Sequence, residues 1–495
     1  MHGGRKSDRV VVPGKSPNKA EAAEAMEERT LAKENSRRQN THRAQNRESV
    51  RSALERVRRA AEEDRGRRFT TLLHHVYAVD TLREAYWSLK RKASPGVDGV
   101  TWQEYGEGLE ERLQDLSGRL QRGGYRARPV KRSYIPKPDG RQRPLGITTV
   151  EDKVVQTAMT MVLNEVYEVD FMGFSYGFRP GRSPHDALDA LCVGIERRRV
   201  RWVLDADIRG FFDAIDHERM IELVERRIAD RRVIRLIRKW LKAGVLEKEK
   251  RVRNEVGTPQ GGCISPLLGN IYLHYALDTW VQEWRKTRCK GDVIIVRYAD
   301  DFVMGFEDRR EAEECLRELR KRLRDYGLEL HPDKTRLLEF GRHTIDDDPD
   351  GGTGKPGTFD FLGFTHICAR GRTGKFRVER RTIKKRMRAK LAAIKRELRR
   401  KMHDPIPEVG EWLGSVVEGH MRYYGVPLNR RAVSSFRWRI AWLWKHTLNR
   451  RSQKARITWK RMQRYSDRWL PKPRVCHPYP IHRLTVRIQG RSPVR

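Results

Sequence analysis

Cysteine is scarce. Six residues among 495 (Cys192, Cys263, Cys289, Cys315, Cys368 and Cys476) never form a CxxC pair. That argues against a disulfide framework and a Cys-rich zinc module, and six free thiols in a reducing cytoplasm are expected. No run approaches the roughly 18 apolar residues of a membrane span. The N-terminus, MHGGRKSDRV, is charged but lacks an apolar segment after it, so a secretory signal is not expected. Acidic residues are also short, with 66 Asp and Glu against 105 Lys and Arg and a net charge of +39. Twelve Trp and fourteen Phe are nevertheless too many for a disordered chain. At about 100–200 residues per domain the length predicts two to four domains.

The positive charge is concentrated. From Arg370 onward, 126 residues hold 36 Lys and Arg against 7 Asp and Glu, whereas the preceding 369 hold 69 against 59. Solubility does not need such a concentration; binding of a polyanion is its ordinary cause. Six of the twelve Trp (412, 438, 442, 444, 459 and 469) share this stretch. Most are expected in a core, and one or two are candidates for stacking on bases. Nucleic acid is the expected partner.

Residues 1 to about 20 read as a disordered leader. Val50, Leu54, Val57 and Ala61 then recur at helical spacing in a nearly all-polar stretch, read as a solvated helix or an arm that orders on RNA. Together, 1–66 are expected to be a disordered or weakly helical N-terminal arm. A helix carrying Leu82, Ala85, Tyr86 and Leu89 stops at the turn signal Ser94-Pro95-Gly96. Between about 125 and 366, β-branched runs alternate with helical patterns, an α+β organisation. RWVLDADI and DVIIVRYADDFVMGF read as strands, KVVQTAMTMVLNEVY and RMIELVERRI as helices, DDDPDGGTGKPG (346–357) as an exposed loop, and FDFLGFTHI as a last strand. After Arg370 the pattern turns helical: Ile383, Met387, Leu391, Ile394, Leu398 and Met402 make one apolar stripe on a Lys/Arg-covered helix. Two further helices complete a small basic bundle.

Acids stand where an ordinary fold would avoid them. Asp300 and Asp301 interrupt an apolar strand pattern, and adjacent carboxylates at a hairpin tip repel each other unless a cation neutralises them. Asp205 and Asp207 interrupt another strand and share a face by its two-residue period. If the two strands are neighbours, Asp207 and Asp300 converge, with Asp301 left open as a third member, a set suited to two Mg²⁺ ions completed by water and substrate phosphate. A turn or helix cap is the commoner use of an isolated Asp, and Asp98, Asp213 and Asp216 fit that use.

With its neighbouring blocks the sequence resembles the reverse transcriptase–maturase proteins encoded by bacterial group II introns, from about residue 80 to about 475. YIPKPDGRQRPLGI (134–147), FSYGFRPGRSPHDAL (174–188), LDADIRGFFDAID (204–216), GTPQGGCISPLLGNIYL (257–273), YADD (298–301), HPDKTRLLEFGR (331–342) and FDFLGFT (359–365) follow in the family's order. The resemblance implies an α+β right-hand polymerase: fingers and an RRM-like palm over 67–370, then an all-α basic thumb/maturase bundle over 371–450. It makes Asp207, Asp300 and Asp301 the catalytic metal-binding carboxylates, with the Ile208 carbonyl as a further ligand. Lys137 and Arg143 take the place of residues that hold the incoming triphosphate. Phe212 falls at the ribose gate, implying dNTP substrates, Gln260 borders nucleotide and template, and Lys334 assists the leaving phosphate. EWLGSVVEGHMRYYGVPLN (411–429) resembles the maturase region that grips structured intron RNA.

The implied partners are group II intron RNA, an RNA template and a DNA primer or target, with no membrane; a homodimer is left open. The implied place is the cytoplasm, at the nucleoid when engaged with DNA. The sequence to Arg495 holds no CxxC pair of the kind that marks the family's HNH endonuclease. The basic stretch 451–495 is therefore read as a reduced DNA-contacting region or a scaffold tail. Two rivals stand beside the polymerase: an RNA-binding splicing cofactor with an idle palm, and a host-adapted reverse transcriptase without its own intron.

Overall fold

The computed structural model describes residues 46–136, 142–243, 245–247, 250–252, 261–346, 357–371, 373–452, 454 and 456–487. The leader, most of the 346–357 loop, Lys137 and Gln260 lie outside the described residues, and for Arg143 only the backbone is described.

A four-stranded antiparallel sheet organises the centre. Its strands are β3 (Trp202–Asp207), β6 (Val293–Tyr298), β7 (Asp301–Phe306) and β8 (Arg336–Glu339), in the order β6-β7-β3-β8. Alternation gives it two apolar faces. Leu204, Ala206, Ile295, Phe302, Met304 and Phe306 join a large core built with helices that include Val150–Asp170 and Ser265–Leu273. Val203, Ile294, Val296 and Val303 point the other way, into a second core with the helix Pro184–Arg197 and a three-stranded sheet. That sheet is β9 (Thr358–Phe361), β10 (Phe364–Arg370) and β11 (Phe376–Thr382), all antiparallel. A third sheet pairs β1 (Val130–Pro136) with β2 (Gln142–Ile147), and β1 in parallel with β4 (Val245–Glu247), which is followed by β5 (Lys250–Val252).

Three expectations are corrected. The helix over 46–63 is neither a solvated nor a detached arm: Val50, Leu54, Val57 and Ala61 are buried in the large core. A four-residue apolar stripe is enough to dock a helix whose other faces are polar. The last strand expected, FDFLGFTHI, belongs to a set of three strands, because Leu362 and Gly363 adopt positive φ (46° and 87°) and fold FDFLGFT into a hairpin, and β11 follows it. The break at 370/371 therefore cuts a hairpin, and helices begin at Lys384. Finally, the basic bundle does not end at 450. Helices Lys384–Arg400, Ile406–Tyr424, Arg430–Asn449 and Trp459–Trp469 share one core that contains Leu391, Leu413, Trp444 and Met462. Beyond it the chain returns to the helix Pro184–Arg197, where His477 stacks on His185 and Arg483 Nε lies 2.9 Å from the buried carboxylate of Asp189. Residues 459–487 thus brace the fold.

Candidate active site at the ends of the central strands

Antiparallel register places Asp207, the last residue of β3, directly opposite Asp301, the first of β7. Opposed residues project from the same face, with Cβ atoms about 4.5–5.5 Å apart. Asp205, two residues back, shares that face and pairs with Arg336 at 3.1 Å. Asp300 occupies the two-residue turn that joins β6 to β7. The four acids feel one another. Burial, then the charges of Asp205, Asp207 and Asp300, hold the Asp301 carboxyl well above the usual carboxylate range, while Arg386 pulls it back. Burial likewise pushes Asp205 up to about 6. Arg386 belongs to the first turn of the basic bundle, so that bundle reaches the site electrostatically.

The turn is held from behind. Ala299 has φ 58°, a left-handed conformation uncommon for a residue other than glycine. Its carbonyl accepts from Arg297 Nη1 at 3.0 Å, and Arg297 also donates to Asn270 and, through Nε and Nη2, to both oxygens of Asp278. Asp278 closes a π-helical segment, His274–Asp278, inserted between two α-helices. Gly177 packs against the turn so closely that a Cβ there would sit 2.3 Å from Ala299 N, and its carbonyl accepts from Asn270 Nδ2 at 2.7 Å. The FSYGFRPGR block is carried there by a short parallel bridge between Ser175 and Arg297. No sequence signal singled out Arg297, Asp278, Asn270 or Gly177 as partners. Arg297 was visible only as a charge within an apolar strand.

Beside the acids, His331 N donates to the Asp207 carbonyl at 2.8 Å, anchoring the HPDKT turn, and Lys334 Nζ reaches Asp207 Oδ2 at 2.5 Å. Arg209 N donates to Glu329 O at 2.8 Å, so Ile208 bridges Leu330 without exchanging hydrogen bonds with it. Both backbone groups of Ile208 consequently point to the other edge of β3, the edge on which β7 lies. Phe212 follows Gly210, whose φ is 56°, and packs half-buried beside Phe211 at a centroid distance of 5.1 Å. Gly269 makes room for both rings: a Cβ there would lie 3.1 Å from each. Asp216 caps the helix His217–Glu225 as expected, whereas Asp213 sits inside the one-turn helix Phe211–Ala214.

Could the acids hold a metal? Among the described residues no three His, Cys, Asp or Glu side chains form a ready cage. Mg²⁺ does not require one, because it takes one or two carboxylates and completes its shell with water and phosphate. The electrostatics fit a cation: Asp301 and Asp205, both raised by burial beside other carboxylates, gain most from a neutralising charge.

A second contact ties the bundle to this region. The Tyr423 hydroxyl donates to the Leu362 carbonyl at 2.8 Å, and the ring of Tyr424 packs 5.1 Å from that of Phe364. The RYYG segment thus seats on the FDFLGFT turn, about sixty residues away in sequence.

The structure thus sets carboxylates at adjoining ends of the two central strands of an antiparallel sheet, with a basic helical bundle alongside. Residues 135–366 match the family described as reverse transcriptase (RNA-dependent DNA polymerase). The chain is similar to protein YkfC of Escherichia coli K12, 35% identical over 351 residues that cover 64% of this chain and 88% of YkfC. It is 39% identical over 229 residues to the group II intron-encoded protein LtrA of Lactococcus lactis subsp. cremoris, covering 46% of this chain but 38% of LtrA. A third relative, the putative COX1/OXI3 intron 1 protein of Saccharomyces cerevisiae, is 28% identical over 316 residues, covering 53% of this chain and 37% of that protein. The chain belongs to the reverse transcriptase–maturase family of group II introns. No described helix is long and apolar enough to cross a membrane.

Proposed function

We propose that the protein is an RNA-directed DNA polymerase that also binds group II intron RNA as a maturase, assisting splicing and retrohoming. The observation that carries the polymerase is the β3–β7 register, which sets Asp207 against Asp301 beside the turn bearing Asp300. These three carboxylates and the Ile208 carbonyl would hold two Mg²⁺ ions. Bound there, Mg²⁺ supplies charge neutralisation and Lewis acidity for in-line phosphoryl transfer.

The chain's own residues do the rest. Lys137 and Arg143 neutralise the triphosphate of the incoming dNTP, and Gln260 borders the nucleotide and template. Lys334, paired with Asp207 in this structure, assists the leaving phosphate. The Phe212 ring closes the space that a 2′-hydroxyl would need. The bundle from Lys384 acts as the thumb, its basic outer face holding intron RNA and the template–primer duplex by phosphate contacts, and brings the protein to DNA at the nucleoid.

The test is primer extension on poly(rA)/oligo(dT) with dTTP and Mg²⁺, wild type beside Asp300→Asn. Extension by the wild type alone, with intron RNA bound equally by both, is expected. A folded wild type that binds RNA tightly but extends nothing would leave a splicing cofactor with an idle palm.

A further inference from the structure

The six Trp of the basic bundle divide into two sets. Trp444 is fully buried, and Trp412 and Trp469 are half-buried against the bundle core. Trp438, Trp442 and Trp459 are instead 58%, 38% and 48% exposed. In the helix Arg430–Asn449 the core takes Val433, Phe436, Ile440 and Trp444, so Trp438 and Trp442, one turn apart, lie on the face turned away from it. Trp459 opens the next long helix and comes up beside them. The Trp438 and Trp459 rings are nearly parallel, 14° apart, with centroids 6.5 Å from each other. Lys445 Nζ lies 5.3 Å over the Trp459 ring, and His446 sits 3.8 Å from Trp442.

The surroundings are cationic. The helix Arg430–Asn449 contains no acid, and Trp459–Trp469 contains only Asp467, which Arg437 pairs at 3.4 Å. Arg431, Arg439, Arg450, Lys460, Arg461 and Arg464 are all exposed. Indoles packed for the fold would be covered, and an apolar protein partner would not call for an unrelieved positive field. Flat π faces among phosphate-binding cations suit a strand whose bases are free to stack. A duplex keeps its bases inside. Folded RNA offers unpaired ones in loops and bulges, where aromatic stacking is the usual mode of recognition.

We infer that Trp438, Trp459 and Trp442 form a stacking platform for unpaired nucleotides of structured RNA, distinct from the palm. The inference rests on the RNA-binding part of the proposed function and not on the polymerase. Trp438 and Trp459 supply the ring faces. Lys445 and the flanking arginines supply phosphate contacts. Base recognition by stacking tolerates sequence, so the platform selects an unpaired state and not a particular base.

The experiment uses the full chain and two RNA probes of equal phosphate number, a hairpin with an unpaired loop and a blunt fully paired duplex. The double variant W438A/W459A should lose about tenfold or more in affinity for the looped RNA. Its duplex affinity should be kept, and so should the slope of affinity against salt, because stacking releases no counterions. W438F/W459F should recover most of the loss. Equal losses on both probes, or none on either, would overturn the platform. So would a change in the protein's mass by light scattering, which would make the face a contact between copies. Should the alanine pair melt well below the wild type, Trp442→Ala on the same two probes decides between these outcomes by the same criteria. Primer extension by the wild type stands apart from all of these, so failure of the polymerase reading and failure of the platform are separable.

Discussion

Arg297 and Asp278, both wholly buried, form a two-pronged ion pair directly behind the acidic turn, with Nε–Oδ1 at 2.7 Å and Nη2–Oδ2 at 2.5 Å. The remaining guanidinium nitrogen spans Asn270 and the Ala299 carbonyl. Planar bidentate geometry is a property of arginine that lysine lacks. Arg297→Lys should therefore keep the charge, loosen the turn and lower kcat for cDNA synthesis by about tenfold or more, with RNA affinity unchanged. Arg297→Ala strands a buried carboxylate and should destabilise the fold by about 3–5 kcal/mol in urea unfolding. A lysine variant with wild-type kcat would mean that the turn holds itself.

Gly177 offers a test of the same turn from the other side. A methyl group there meets backbone at 2.3 Å from Ala299 N and 2.9 Å from Tyr298 C, and backbone cannot swing aside as a side chain can. Gly177→Ala should cost about 1–3 kcal/mol of stability and depress extension with intron RNA still bound. Single-turnover extension beside thermal unfolding reads both.

Truncating the Phe212 ring should open the sugar pocket. Phe212→Ala is expected to raise ribonucleotide incorporation relative to dNTP by about tenfold, equivalent to roughly 1.4 kcal/mol of lost discrimination. Misincorporation from mixed rNTP and dNTP pools measures it. Unaltered discrimination would return Phe212 to ordinary packing beside Phe211.

Acidity should link Mg²⁺ to stability. Burial raises Asp205 from 3.8 to about 6 and Asp301 in the same direction. A carboxyl raised on folding contributes stability that is full below its unfolded value and is lost as pH climbs through the folded one. For Asp205 that window runs from about 3.8 to about 6. Without divalent cation the protein should lose this contribution across that range, and Mg²⁺ should raise Tm more at about pH 7.5 than at about pH 5. Melting curves with Mg²⁺ or EDTA at both pH values check it; an equal rise at both would detach the carboxyl cluster from the cation.

Much was legible in the sequence because local pattern reports local structure. The two-residue period of LDADI and the paired acids of YADD are backbone facts, and they located β3, the β6–β7 hairpin and their acidic ends. Net charge per segment is additive, so the basic bundle was visible without coordinates. Other features depend on which elements meet. The helix over 46–63 looked solvated because four apolar residues are few, and only the core that receives them shows that they are enough. The bundle boundary at 450 failed for the same reason: Met462 and Leu470 contribute to a core assembled from distant helices. Arg297 finds Asp278 nineteen residues upstream through a π segment, and Gly177 finds Ala299 across the chain. Composition and periodicity thus determined where the acids of the strand ends and the basic end of the chain lie. Only the tertiary structure decided what holds those acids in place and which tryptophans face outward, since long-range register and burial are properties of the packed chain and not of any window within it.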